Sequence, residues 1–203
     1  MMKTAKTFLF ITFMITVLTS CKAQQNSFIQ KMDEAGTNQD LEDSVISNLR
    51  NNNDIVIAYA IENFAWVKKI DFIILAQQNG NWTGYSYKRN LMQQNSTQSI
   101  TSININKNAC DSLLTYIMQT NVWTIKGDSG SNFCLNGNKN CNINDAASER
   151  LWIITKKTVF NPSYYAPGFY EKCCPDKNRA LFLSIKNLIE NSVIGGSEQS
   201  SNM

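Results

Sequence analysis

Apolar residues recur along this chain with two spacings, one helical and one extended, and the alternation of the two outlines a fold. Leu41, Val45 and Leu49 stand four apart after Thr37-Asn38-Gln39-Asp40, a start of the Ser/Thr-x-x-acid kind, and predict a helix with one apolar stripe that closes at Asn51-Asn52-Asn53. Ile55 to Trp66 is read as a short strand followed by a helical turn. Ile70 to Ala76 is β-branched and aromatic, and Asn79-Gly80-Asn81 separates it from Trp82-Thr83-Gly84-Tyr85-Ser86-Tyr87, which predicts a β-hairpin. Ser99 to Ile105 suits an edge strand. A helix capped by Asn108 then carries Cys110, Leu113, Leu114, Ile117 and Met118, and Val122 to Ile125 reads as a brief strand.

Beyond a Gly- and Asn-rich loop over 127–145, Leu151-Trp152-Ile153-Ile154-Thr155 is apolar on both faces and predicts a covered central strand. Residues 160–175 read as a loop dense in aromatics and prolines. Asp176 caps a last helix with the stripe Leu181, Ile185, Leu188 and Ile189. Helices alternating with hairpin-like strands predict an α+β domain, an antiparallel sheet with helices packed on one face and braced by disulfides. This end of the chain, from Leu151 through Tyr164-Tyr165-Ala166-Pro167 to Arg179 and Phe182, is similar to small exported bacterial proteins of unassigned function, which implies a strand–loop–helix module and nothing about activity.

The first residues follow a different logic. Lys3 and Lys6 precede an apolar run from Phe8 to Leu18, broken only by threonines, and then comes Leu18-Thr19-Ser20-Cys21. A charged start, a short apolar stretch and small residues form an export signal, and the run is far below the roughly 20 residues needed to span a bilayer. The terminal box resembles a bacterial lipoprotein signal. That resemblance implies cleavage before Cys21 and acylation of its thiol, palmitate being a diagnostic label, so the mature protein is tied to a membrane of the cell envelope, facing the periplasm or the cell surface. The chain then divides into a signal peptide over 1–20, a flexible tether over 21–36, a single domain over 37–194 and a disordered tail over 195–203.

Charge and composition narrow the partners. Lys3 and Lys6 account for two of the three net positive charges, so the mature domain is near neutral and lacks the basic stripe a nucleic acid would require. The chain has no His, which removes the commonest general base and the commonest metal ligand. No cofactor or metal is expected. Outside the cytoplasm thiols become disulfides. Cys134 and Cys141 flank a turn-forming Asn/Gly loop and are expected to pair, leaving Cys110, Cys173 and Cys174 as further possible partners with one thiol over.

Candidate chemistry is thin. Gly127-Asp128-Ser129-Gly130 looks like the segment around the nucleophile of chymotrypsin-type serine proteases, but that triad needs His as its base. A Ser–Lys arrangement of Ser129 with Lys126 or Lys156 would be the substitute. Asn136, Asn138, Asn140, Asn142 and Asn144, ending at Asp145, offer oxygens for calcium but too little charge, and no Glu closes the loop. Asp145, Glu149, Glu171 and Asp176 lie near loops and supply carboxylates for glycoside hydrolysis only if two of them face each other. Tyr164, Tyr165, Phe169 and Tyr170, on a loop braced by Pro162 and Pro167, form either a rigid contact surface or a lid folded over the sheet. Two functions follow: a non-catalytic lipoprotein that binds a protein partner or ligand, with an immunity or inhibitor protein as its specific form, and a cell-envelope hydrolase using carboxylates or Ser–Lys.

Overall fold

The computed structural model describes residues 27–34, 41, 43–63, 69–90, 99–128, 134 and 141–194. The described elements are helix α1 (27–34), α2 (Ser44–Asn52), strands β1 (Ile55–Asn63), β2 (Lys69–Gln78), β3 (Asn81–Asn90) and β4 (Ser99–Ile103), and α3 (Lys107–Gln119). A 3₁₀ turn (Val122–Thr124), β5 (Ser148–Thr155), β6 (Val159–Phe160), β7 (Ser163–Tyr165), α4 (Pro167–Cys173) and α5 (Lys177–Asn191) complete them. The strands form one antiparallel sheet in the order β4-β3-β2-β1-β5-β6, with β7 also paired to β5. The fold is α+β.

The sheet grows from its centre. β1 pairs along its whole length with β2, from Ile55 opposite Gln77 to Asn63 opposite Lys69, and on its other side with β5. The β2–β3 hairpin turns on Asn79 and Gly80, both at positive φ (52° and 79°), the geometry of a type I′ turn that matches strand twist. Period-two alternation then sends successive residues to opposite faces. Ile55, Ile57, Tyr59, Leu75, Leu151 and Ile153 meet Phe28 and Met32 of α1, Leu113 and Ile117 of α3, and Phe182, Ile185 and Ile189 of α5. Val56, Ala58, Ile74, Trp152 and Ile154 lie on the other face, where α2 supplies Ile46 with Leu41, Val45 and Leu49 beside it. The main helical layer is therefore on one face, and among the described residues one short helix covers part of the opposite one.

Several boundaries differ from expectation: residues 27–34, within the expected tether, form α1, whose Phe28 and Met32 are buried in the core. α2 begins at Asp43, whose carboxylate accepts the N–H groups of Val45 and Ile46 at 2.9 and 3.2 Å; Thr37–Asp40 lies outside the described residues. Asn106, two residues before the expected cap, accepts the N–H groups of Asn108 and Ala109. β1 runs unbroken to Asn63, without a helical turn before that point. Val122–Thr124 is a 3₁₀ turn because Asn121 takes a left-handed conformation (φ 50°) that ends α3 and closes Ile125 N–H back onto Val122 O. Residues 160–175 are not a loop: they contain the end of β6, all of β7 and helix α4, with Pro167 in the first turn, where its missing N–H is no loss. Asp176 caps α5 as expected, and Leu151–Thr155 is buried throughout.

Candidate functional site

The outer edge of the sheet is where polar and aromatic groups collect. β6 and β7 lie against β5 as one interrupted strand, split at Asn161-Pro162, with Leu151 N–H donating to Pro162 O at 3.1 Å. The far side of this strand faces the segment after the 3₁₀ turn, where Asp128 N–H donates to Ser163 O at 2.9 Å. Gly127 explains how the two backbones come so close: a Cβ there would stand 2.7 Å from Ser163 O and 2.8 Å from Ser163 N. Trp123, Ile125, Asp128, Phe160, Pro162 and Ser163 are among the residues that line a cleft of about 430 Å³ at this edge.

Behind the cleft lies a buried ion pair. Arg179 on α5 is 3 % exposed, and its guanidinium reaches Asp128 at 3.5 Å and donates to Cys174 O at 3.0 Å. The rings of Tyr164 and Tyr170 flank it, with centroids 5.9 and 5.8 Å from the guanidinium carbon. Asp128 also accepts the backbone N–H of Tyr165. Burial raises the Asp128 carboxyl above the usual carboxylate range, against the pull of the Tyr165 N–H and Arg179. Tyr164 is raised in the same way, first by burial and then by the charges of Asp176 and Asp128.

The aromatic segment is thus divided. Tyr164 and Tyr170 are each 2 % exposed, and the Tyr164 hydroxyl donates to Lys126 O, so both are core and not contact surface. Tyr164 packs its ring on Phe182 at 4.9 Å. Tyr165 is half-buried, with its hydroxyl accepting from Ala146 N–H, and only Phe169 of the four is exposed. The rings had a helix-and-sheet interior to fill, and burial of apolar area outweighed display.

Cysteine pairing is also corrected. Cys134 bonds Cys174 and Cys141 bonds Cys173, with Cα–Cα separations of 5.7 and 6.0 Å; Cys134 and Cys141 do not pair with each other. The adjacent pair at the end of α4 offers two anchors, and the segment before β5 is drawn onto both. Cys110 is a free thiol, fully buried on α3, and burial pushes its pKa up.

The carboxylates named from sequence have separate roles. Asp145 is exposed. Glu171 accepts Asp176 N–H, and Asp176 caps α5 through Asn178 and Arg179 N–H. Glu149 joins a cluster that spacing could not reveal: it accepts from the Tyr59 hydroxyl at 2.5 Å and from Lys186 Nζ at 2.9 Å. Glu190 stands nearby, its carboxyl raised by partial burial and by the Glu149 charge while Lys186 opposes the rise. Cys21, Ser129, Asn136, Asn138 and Asn140 lie outside the described residues. No helix among the described residues is long and apolar enough to cross a membrane. No protein-family model matches the chain, and no curated protein matches its sequence.

Proposed function

We propose that this chain is a membrane-anchored, extracytoplasmic lipoprotein that binds a protein partner without catalysing a reaction, in the specific form of an immunity or inhibitor protein that blocks an incoming toxin or lytic enzyme. The observation that carries the reading is the Leu18–Cys21 box placed ahead of a domain braced by Cys134–Cys174 and Cys141–Cys173. Two disulfides suit the oxidising space into which such a signal delivers its cargo. The contact surface moves from the aromatic segment to the cleft beside it, where Trp123, Phe160 and Pro162 supply apolar lining beside the polar Asp128, Asn161 and Ser163.

Growth with labelled palmitate tests the anchor: the wild type incorporates label and sediments with membranes, and Cys21→Ala does neither. Retention of Cys21→Ala in the membrane fraction would overturn it. For the partner, Asn161→Arg in the cleft lining is expected to abolish capture of the bound protein with the circular dichroism spectrum unchanged, and undiminished capture would remove the cleft from the proposal.

One observation favours the hydrolase alternative. Glu149 and Glu190 share Lys186, and two carboxylates with different environments are the arrangement an acid–base pair needs. Turnover of a cell-wall polymer that is lost in Glu149→Gln but retained in Asn161→Arg would select that reading over partner binding.

A further inference from the structure

Three sulfurs meet beside α5, and a fourth is bonded to one of them. Cys134, Cys141 and Cys174 place their Sγ atoms within 4.8 Å of one another, and Cys173 is bonded to Cys141. All four residues are half-buried, so the cluster is neither open to bulk water nor sealed from it. A tetrahedral thiolate site has metal–sulfur bonds of about 2.3 Å, which places its sulfurs about 3.8 Å apart. Once the two disulfides open, the Sγ atoms of Cys134, Cys141 and Cys174 start from mutual separations of no more than 4.8 Å.

The surroundings suit such a site. A divalent ion held by four thiolates carries a net charge of −2, and a buried cation beside a ligand sulfur offsets part of it. Arg179 is placed to do this, with one guanidinium nitrogen 4.0 Å from Cys174 Sγ and 3.0 Å from Cys174 O. Donors of this kind orient ligands and tune a metal without touching it. With no His in the chain, the donor set is all sulfur, which selects a soft, thiophilic ion of tetrahedral habit.

We propose that Cys134, Cys141, Cys173 and Cys174 form a redox-gated zinc site, closed to metal as two disulfides and open to one Zn²⁺ as four thiolates. Two equivalents of a dithiol reductant deliver four electrons and four protons, opening both S–S bonds and becoming disulfides themselves. Zn²⁺ then displaces the four thiol protons to solvent as the four Zn–S bonds form. Two equivalents of a disulfide oxidant take four electrons from the four thiolates and four protons from solvent, becoming dithiols, as the two S–S bonds re-form and the ion is released. The site is independent of the anchor at Cys21.

Full-length protein in detergent, reduced with a phosphine and titrated anaerobically with Co²⁺, provides the test. One Co²⁺ per chain is expected, with the thiolate charge-transfer and d–d bands of a tetrahedral sulfur site that Zn²⁺ abolishes, whereas the oxidised protein gives no spectrum. Cys134→Ser and Cys173→Ser should each lose that spectrum, Cys110→Ser should keep it, and Arg179→Lys should keep its shape while weakening affinity about 10–100-fold. The proposal fails if the reduced wild type gives no such spectrum, including the case in which the reduced chain loses its helical circular dichroism and Co²⁺ does not restore it. It also fails if the Cys134→Ser/Cys173→Ser double variant binds as the wild type does.

Discussion

Asp128 shows how one residue can mislead as a sequence signal and still be essential. Its side chain is nearly buried against Arg179, and removing one partner of such a pair leaves a charge without compensation. Asp128→Asn keeps an acceptor for Tyr165 N–H but not the charge, and should lower unfolding stability by about 3–5 kcal/mol in chemical denaturation. Glu62 gives a complementary prediction. It is 5 % exposed and bonded to Arg150, and burial, opposed by Arg150, raises its carboxyl above the ordinary value. The folded chain therefore binds that proton more tightly than the unfolded chain. The associated stability is complete below the unfolded value of about pH 4 and is lost as pH rises through the folded value. Stability of the wild type relative to Glu62→Gln, followed by urea denaturation across a pH series, should accordingly decline from about pH 4 upward; a rise would refute it. Neither pairing was legible in the chain. Asp128 and Arg179 are far apart in sequence, and the Gly before Asp128 reports a close approach to Ser163 that no local motif encodes.

At the scale of elements, capping chemistry can be ranked by what the cap touches. Asp43 caps α2 and also accepts from the Tyr87 hydroxyl at 3.0 Å in a buried setting, with Arg89 3.6 Å away. Asn106 caps α3 at the surface. Asp43→Ala should cost about 2–3 kcal/mol, since it strips a buried hydroxyl of its acceptor as well as the cap, and Asn106→Ala about 1 kcal/mol. Equal thermal shifts for the two would contradict this. Elements whose own residues decide their form were readable: the Asn79-Gly80 turn, β-branched β2, the stripe of α3 and the two-faced apolar β5. Elements decided by neighbours were not. Val122–Thr124 has strand-forming residues, yet left-handed Asn121 turns it into a 3₁₀ helix. α4 was hidden by its aromatics, although Pro167 was a usable first-turn signal. The cleft owes its shape to the break at Asn161-Pro162, and its other wall arrives from a segment whose arrival only the tertiary fold determines.

Across the whole molecule, the two disulfides are nested, with separations of 40 and 32 residues. One bond alone closes a long loop and is worth about 4 kcal/mol on the chain-entropy model; the second then closes a ring of only about ten residues and adds about 3 kcal/mol. Removing Cys141–Cys173 as a Ser/Ser pair should thus cost less than a lone bond of its span would suggest, and unfolding of the single- and double-bond variants measures the difference. Which cysteines pair was beyond sequence, because adjacent Cys173 and Cys174 are equivalent by spacing and only the register of α4 against the segment before β5 distinguishes them. Because both ties bracket the same stretch, a protease that cuts anywhere between Cys134 and Cys173 leaves the fragments covalently joined. A nicked molecule would migrate as one species until reduced, and it would persist as a connected body after its backbone has been severed.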